Sequence, residues 1–200
     1  MPSKNPALWS LSVIAAVFTL SLMAAPNALP ASRGRSEDAD DRAVQSDPRV
    51  QRGLAITPVP LKLAGKRRNL VGLGSYLVNA VGGCNDCHTC PTFAPGHGTG
   101  SGADVQVNTA NFLAGGAPFG PKLKSRNITP DLSGKPAGIT FDQFVNVIRT
   151  GHDAEPPHDI LQAMPWPVYR YMTDRDLRAI YEYLSAIPHA EPGDCQAPGQ

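Results

Sequence analysis

The 200 residues carry a formal net charge of +1, with 42% hydrophobic and 18% charged side chains. That balance gives no argument for a nucleic-acid or strongly anionic partner and leaves room for one packed domain plus tails. Glycine and proline, 19 and 20 residues, imply long loops, and with only 6% aromatic residues the chain calls for something besides side chains to complete its core.

The chain opens with Lys4 and an uncharged run to Pro30, apolar from Leu11 to Ala25, followed by the small residues Ala28 and Ala31. This reads as a secretory signal peptide over 1–31, or as an uncleaved anchor helix, since about 20 apolar residues suffice to cross a bilayer. Cleavage after Ala31 puts Leu29 where a small residue is preferred. No cysteine adjoins the apolar run, which argues against a bacterial lipid anchor. Either reading places the remainder outside the cytoplasm, in a periplasm-like compartment, and the membrane is a partner only if the helix is retained. Residues 32–65 are polar, balanced in charge and unpatterned, and are expected to form a flexible linker. The folded domain is expected at 66–190, with a tail at 191–200.

Asn69 to Val81 carries Leu70, Val71, Leu73, Leu77, Val78 and Val81 at spacings of three and four, which predicts a helix with one apolar face. Gly72 and Gly74 cost helix propensity and mark a place where a second helix comes close. Gly82 and Gly83 end the helix.

Directly after stands Cys84-Asn85-Asp86-Cys87-His88. Two thiols two residues apart, followed by histidine, match the attachment pattern for c-type haem. The spacing lets each thiol add to one vinyl group on the same porphyrin edge, and His88 then faces the iron with its imidazole. A thioredoxin-like pair requires a βαβ pattern, which is absent. A zinc site requires a second ligand pair, and only His97 stands near, in a glycine-rich loop. Haem c, one per chain, is therefore the expected cofactor.

A sixth iron ligand must come from elsewhere. Met1 and Met23 lie in the export segment, leaving Met164 and Met172. Met164 precedes Pro165 and Pro167, which stiffen an extended loop able to aim a thioether. Met172 stands just before a helix, where core packing is the ordinary role of methionine. His152, His158 and His189 are the rival ligands. Methionine–histidine ligation implies a raised reduction potential.

These features resemble a monohaem cytochrome c of class I, and more narrowly periplasmic cytochromes and cytochrome subunits of bacterial dehydrogenases. The resemblance rests on Gly74-Ser-Tyr-Leu77, Cys84 to His88, Asn127-Ile-Thr-Pro-Asp131, Met164-Pro-Trp166, and Met172-Thr-Asp-Arg-Asp-Leu177 leading to Tyr181-Glu-Tyr-Leu184. It spans about Arg67 to Pro188. It implies an all-α fold, with helices around one covalent haem and a long Gly/Pro-rich loop, His88 and Met164 as axial ligands, and an electron carrier rather than an enzyme. Its partners would be redox proteins, a dehydrogenase or a respiratory complex. Many relatives carry two or three such domains, whereas this chain has one CxxCH. The resemblance further implies that the terminal helix crosses the helix holding Gly74.

Thr140 with Gln143 forms a capping-box pattern for a helix from Phe141 to Thr150, with Phe141, Phe144, Val145 and Ile148 inward and a stop at Gly151. Thr173 with Asp176 opens a second such helix, with Leu177, Ile180, Tyr181 and Leu184 inward, ending near Ala186. Between lies Pro91 to Lys135, a loop expected to wrap the haem edge, with a short hairpin pairing Val105–Val107 with Phe112–Ala114. Lys122, Lys124 and Arg126 there read either as a docking patch or as ordinary solvated charge. Cys90 and Cys195 remain as a pair for a disulfide, the expected state of spare thiols in an oxidising compartment. Two other functions stay open: a peroxidase-like haem enzyme and a haem-based sensor, both of which need an open iron position.

Overall fold

The computed structural model describes residues 47–195 apart from residue 103. The export segment at 1–31, the stretch 32–46 and the tail residues 196–200 lie outside the described residues. The described chain is helix-rich: α1 (Pro48–Ile56), α2 (Arg68–Tyr76), α3 (Cys84–His88), α4 (Phe141–Thr150), α5 (Trp166–Tyr169) and α6 (Asp174–Leu184). Among the described residues extended chain pairs only through isolated antiparallel bridges, and no strand forms. No helix among them is long and apolar enough to cross a membrane.

The core is a crossing of three helices. α2 buries Leu70, Val71 and Leu73, and α6 buries Leu177, Ala179, Ile180, Tyr183 and Leu184. Gly74 is the point of contact: a Cβ there would stand 1.9 Å from the carbonyl oxygen of Ala179. The crossing implied by the resemblance is thus present, and the helix glycine has a steric cause. α2 runs on into a π-helical turn, Leu77–Val81. Leu77 and Val78 stay buried, but Val81 is exposed, because the wider turn shifts the phase of the apolar stripe.

The segment 47–65 differs from the expected linker. Asp47 caps α1 by accepting from the Arg49 N–H at 3.0 Å, and Pro48 supplies a first-turn residue with no donor to satisfy. α1 lays Val50 and Gly53 on α2 so closely that a Cβ on Gly53 would stand 1.9 Å from the Gly72 oxygen. The Ser75 hydroxyl donates to the Gly53 carbonyl at 2.7 Å. Leu54, Leu61 and Leu63 pack on the core, and the Lys62 N–H donates to the Ala186 carbonyl at 2.8 Å. Residues 47–65 therefore belong to the folded body. The contact rests on Val50, Gly53 and Leu54 against Gly72, a face too short and too interrupted by glycine to stand out in the sequence.

Both capping boxes form, at Thr140–Gln143 and Thr173–Asp176, and Gly151 ends α4 at φ 75°. On α4 only Ile148 is fully buried, while Phe141, Phe144 and Val145 are half-buried. Phe141 meets Tyr181 edge-on at 5.5 Å between ring centroids. Tyr183, which the sequence reading did not place inward, is fully buried, whereas Tyr181 is half-buried. The Tyr183 hydroxyl lies 3.2 Å from the Thr57 hydroxyl and accepts from Asn79 Nδ2 at 3.1 Å, which makes its burial tolerable.

The long loop is ordered by two pairings other than the expected one. Phe93 bridges Val107, and Pro118 bridges Lys124. Phe112, Leu113 and Ala114 form a buried turn instead of a strand. The Leu113 N–H donates to the Thr89 hydroxyl at 2.9 Å, and its carbonyl accepts from the Ile128 N–H at 3.0 Å.

Candidate functional site

The site begins where α2 ends. Gly83 turns left-handed at φ 59° and starts α3, so Cys84, Cys87 and His88 share a single helical turn. Positions i, i+3 and i+4 lie on one helical face. Cys84 and Cys87 form no disulfide and are half-buried. Burial pushes the Cys84 thiol up to about 11, and burial followed by the charge of Asp86 raises Cys87. Both are therefore neutral thiols at neutral pH, unlike the acidic thiol of a thioredoxin-like pair. Among the described residues no group of three or more His, Cys, Asp and Glu side chains is arranged to hold a metal ion.

His88 is gripped by its surroundings. Its Nδ1 lies 2.7 Å from the Arg126 carbonyl oxygen, which can only accept, so Nδ1 carries the proton and Nε2 keeps the lone pair. Burial lowers the proton affinity of the ring, with the Arg126 bond opposing it, so the imidazole is neutral. The His88 carbonyl accepts from the Gly115 N–H at 2.6 Å. Gly115 and Arg126 sit at the base of a small hairpin closed by Gly116 N–H to Ser125 carbonyl and Ser125 N–H to Ala117 carbonyl, at 2.9 and 2.8 Å. One limb of the hairpin thus holds the backbone of His88 and the other its ring. Gly115 adopts φ 78°, and a Cβ there would stand 2.5 Å from the Arg126 carbonyl carbon.

This donor set fits c-type haem. Two unpaired thiols stand on the turn of a neutral imidazole, and a carbonyl holds the ring's other nitrogen, the usual device for fixing a metal-binding histidine. When bound, haem would supply one-electron chemistry at its iron, with Cys84 and Cys87 as its attachment points and His88 as a ligand. A separate cavity of about 400 Å³ lies on the Asn85–Asp86 side of the turn, lined by Asn79, Phe93 and Val107 among others. Cys84, Cys87 and His88 do not line it, so it is distinct from the attachment face.

Met164 is half-buried in the bend before α5. Its arm is fastened at several points. Arg126 pairs with Asp153 at 2.6 Å and with Glu155, and Trp166 lies against Gly151, where a Cβ would stand 2.2 Å from the indole. The Tyr169 hydroxyl donates to the Gly82 carbonyl at 2.6 Å, two residues before Cys84. The arm holding Met164 is thereby tied to the start of the attachment turn. Met172 packs against the hydrophobic core. His189 has both nitrogens engaged, Nδ1 with the Pro130 carbonyl at 2.9 Å and Nε2 with Glu191 at 2.8 Å. His152, His158 and His97 each meet a backbone carbonyl through Nδ1, those of His158, Asp153 and Asp104 respectively. Lys122 and Lys124 are exposed, whereas Arg126 is spent on its two acidic partners.

Cys90 and Cys195 are joined, with Cα atoms 5.7 Å apart. Residues that the sequence reading missed serve through backbone atoms. The Gly115 N–H and the Arg126 carbonyl could not be inferred from residue type, though a glycine forced into positive φ is a trace of the first.

A helix-rich body whose turn from Cys84 to His88 holds two thiols and a fixed histidine fits a c-type cytochrome site. Comparison with known proteins agrees. The chain is 31% identical over 139 residues to the fructose dehydrogenase cytochrome subunit of Gluconobacter japonicus, covering 68% of this chain and 24% of that one. It is 31% identical over 118 residues to the gluconate 2-dehydrogenase cytochrome c subunit of Pantoea cypripedii, covering 58% and 22%. It is 30% identical over 125 residues to the cytochrome c subunit of alcohol dehydrogenase (quinone) of Gluconacetobacter polyoxogenes, covering 62% and 23%. The chain is thus similar to cytochrome c subunits of bacterial dehydrogenases, as its motifs indicated. The matched region spans about a quarter of the length of these relatives. No protein-family model matches the chain.

Proposed function

We propose that this chain is an electron-transfer protein carrying one haem c in a class I cytochrome fold. Cys84 and Cys87 form the thioethers, His88 is the proximal ligand and Met164 the distal one. The protein carries single electrons between a donor, a dehydrogenase or quinol-oxidising complex, and a downstream acceptor, and catalyses no reaction of its own. It works outside the cytoplasm, where Cys90 and Cys195 are held as a disulfide. The observation that carries this reading is the His88 ring, protonated toward Arg126 at 2.7 Å and free at Nε2, on the same turn as two unpaired thiols. The names of the relatives support a dehydrogenase as the donor. Tyr169, bonded to Gly82 at 2.6 Å, supports Met164 as the ligand, because it fastens the methionine arm beside the attachment turn.

The test is haem detection after full denaturation, with carbon monoxide binding to the reduced protein. Colour should stay with the chain and be lost in Cys84→Ser/Cys87→Ser. The parent should resist carbon monoxide, whereas Met164→Ala should bind it readily. Fast binding by the parent would remove the carrier reading in favour of an enzyme or sensor with an open iron.

A further inference from the structure

The segment 188–195 runs across the back of the hairpin that grips His88. On one limb, Gly116 faces Pro192, so that a Cβ at Gly116 would stand 3.1 Å from the proline Cβ. On the other limb, Asn127 Nδ2 donates to the Ala190 carbonyl at 2.8 Å. The Ala190 N–H donates to the Thr129 hydroxyl at 3.3 Å, and that hydroxyl donates to Asn127 Oδ1 at 2.7 Å. Further along, Asn111 Nδ2 donates to the Glu191 carbonyl at 2.8 Å, and Gly193 is pressed so close to the Cys90 carbonyl that a Cβ would stand 2.2 Å from its oxygen. The segment ends at Cys195, bonded to Cys90.

Three of these contacts fall one or two residues from His88 or from a residue that holds it. Gly116 follows Gly115, which donates to the His88 carbonyl; Asn127 follows Arg126, which accepts from Nδ1; Cys90 is two residues past His88 itself. We propose that segment 188–195 is a strap that positions the imidazole of His88, with Asn127 and the Cys90–Cys195 link as its positioning residues. It presses the two hairpin limbs onto the histidine, so the Nδ1 bond to Arg126 persists. The proposal rests on the haem reading only for its consequence at the iron. The grip on the ring exists in the protein itself.

The test uses the full mature protein, labelled with nitrogen-15 at histidine. Asn127→Asp keeps the oxygen that accepts from Thr129 but removes the donor to Ala190. Cys90→Ser/Cys195→Ser removes the covalent end. Either change should speed solvent exchange of the His88 Nδ1 proton by about tenfold or more, because its protection depends on how often the grip opens. The reduction potential should rise, since a ring less polarised by its carbonyl donates less charge to iron. If thermal stability falls while the Nδ1 proton stays as protected as in the parent, the strap is only a structural staple and the proposal fails. Should Asn127→Asp not fold, the serine pair gives the same reading. A parent chain that carries no haem would overturn the proposed function, while the Nδ1 proton would still decide the strap.

Discussion

Gly115 shows how one residue serves the site without a side chain. Two demands meet there: φ is 78°, and the space a Cβ would occupy is filled by the Arg126 carbonyl, 2.5 Å away. Gly96 provides the control, since it adopts φ 79° with nothing within 4 Å. Gly96→Ala should therefore cost about 1 kcal/mol, the left-handed strain alone. Gly115→Ala adds overpacking against backbone and should cost about 3 kcal/mol, read from urea midpoints of the two variants beside the parent. Equal costs would show that the contact with Arg126 yields freely. The same reasoning explains what the sequence withheld at this scale. The thiols and the imidazole announce themselves by type and spacing. The atoms that aim His88 are a backbone N–H and a backbone carbonyl, which every residue but proline possesses.

At the scale of elements, signals that depend on local chemistry were legible. Both capping boxes, the glycine stop of α4 and the close approach at Gly74 appear in the structure as the sequence predicts. Elements whose order comes from distant partners were not. α1 hides in a charge-balanced stretch because its docking face is short, Val50, Gly53 and Leu54, and the Asp47-Pro48 start is its clearest mark. The loop after Cys90 has no periodicity because side-chain amides and hydroxyls order it, as Asn108 does in donating to the Pro91 carbonyl at 3.0 Å. The α2–α6 crossing yields a sharp prediction. Gly74→Ala puts a methyl group 1.9 Å from the Ala179 oxygen, so the helices must part. A loss of about 3 kcal/mol or more in chemical denaturation is expected, and a gain of about 1 kcal/mol, the propensity advantage of alanine with no clash, would sink this account of the crossing. The methionine arm gives another. Tyr169→Phe removes one hydrogen bond and should cost about 1 kcal/mol in stability. Because that bond fastens the arm, the reduced variant should also bind carbon monoxide faster than the parent and slower than Met164→Ala. A rate identical to the parent would mean that Trp166 on Gly151 suffices to hold the arm.

For the whole molecule, the order of the chain in space matters more than any single contact. Helices α1, α2 and α6 form a body whose crossings are made by close backbone and side-chain contacts, and the Cys84–His88 turn follows the end of α2. The hairpin and the methionine arm reach that turn from two separate later stretches of sequence, joined to each other by Arg126 with Asp153 and Glu155. What closes the arrangement is the link from Cys90 to Cys195, 105 residues apart in sequence. It encloses both the hairpin and the arm in one ring of chain. A link across so long a loop removes much of the freedom of the unfolded chain, roughly 4–5 kcal/mol by loop-closure entropy, although measured values for long loops often fall short of that. Non-reducing peptide mapping should therefore recover a Cys90–Cys195 pair, and Cys90→Ser/Cys195→Ser should lower the urea midpoint by more than any of the single-contact variants above. Alkylation of Cys90 and Cys195 in the native mature protein would refute the pairing. If the pair is found but its loss barely moves the midpoint, the unfolded chain must already be held compact. A covalent haem would supply a reason, since thioethers at Cys84 and Cys87 would keep an apolar cluster around the Cys84–His88 turn in the denatured state, and the link would then serve the geometry of His88 more than the stability of the fold.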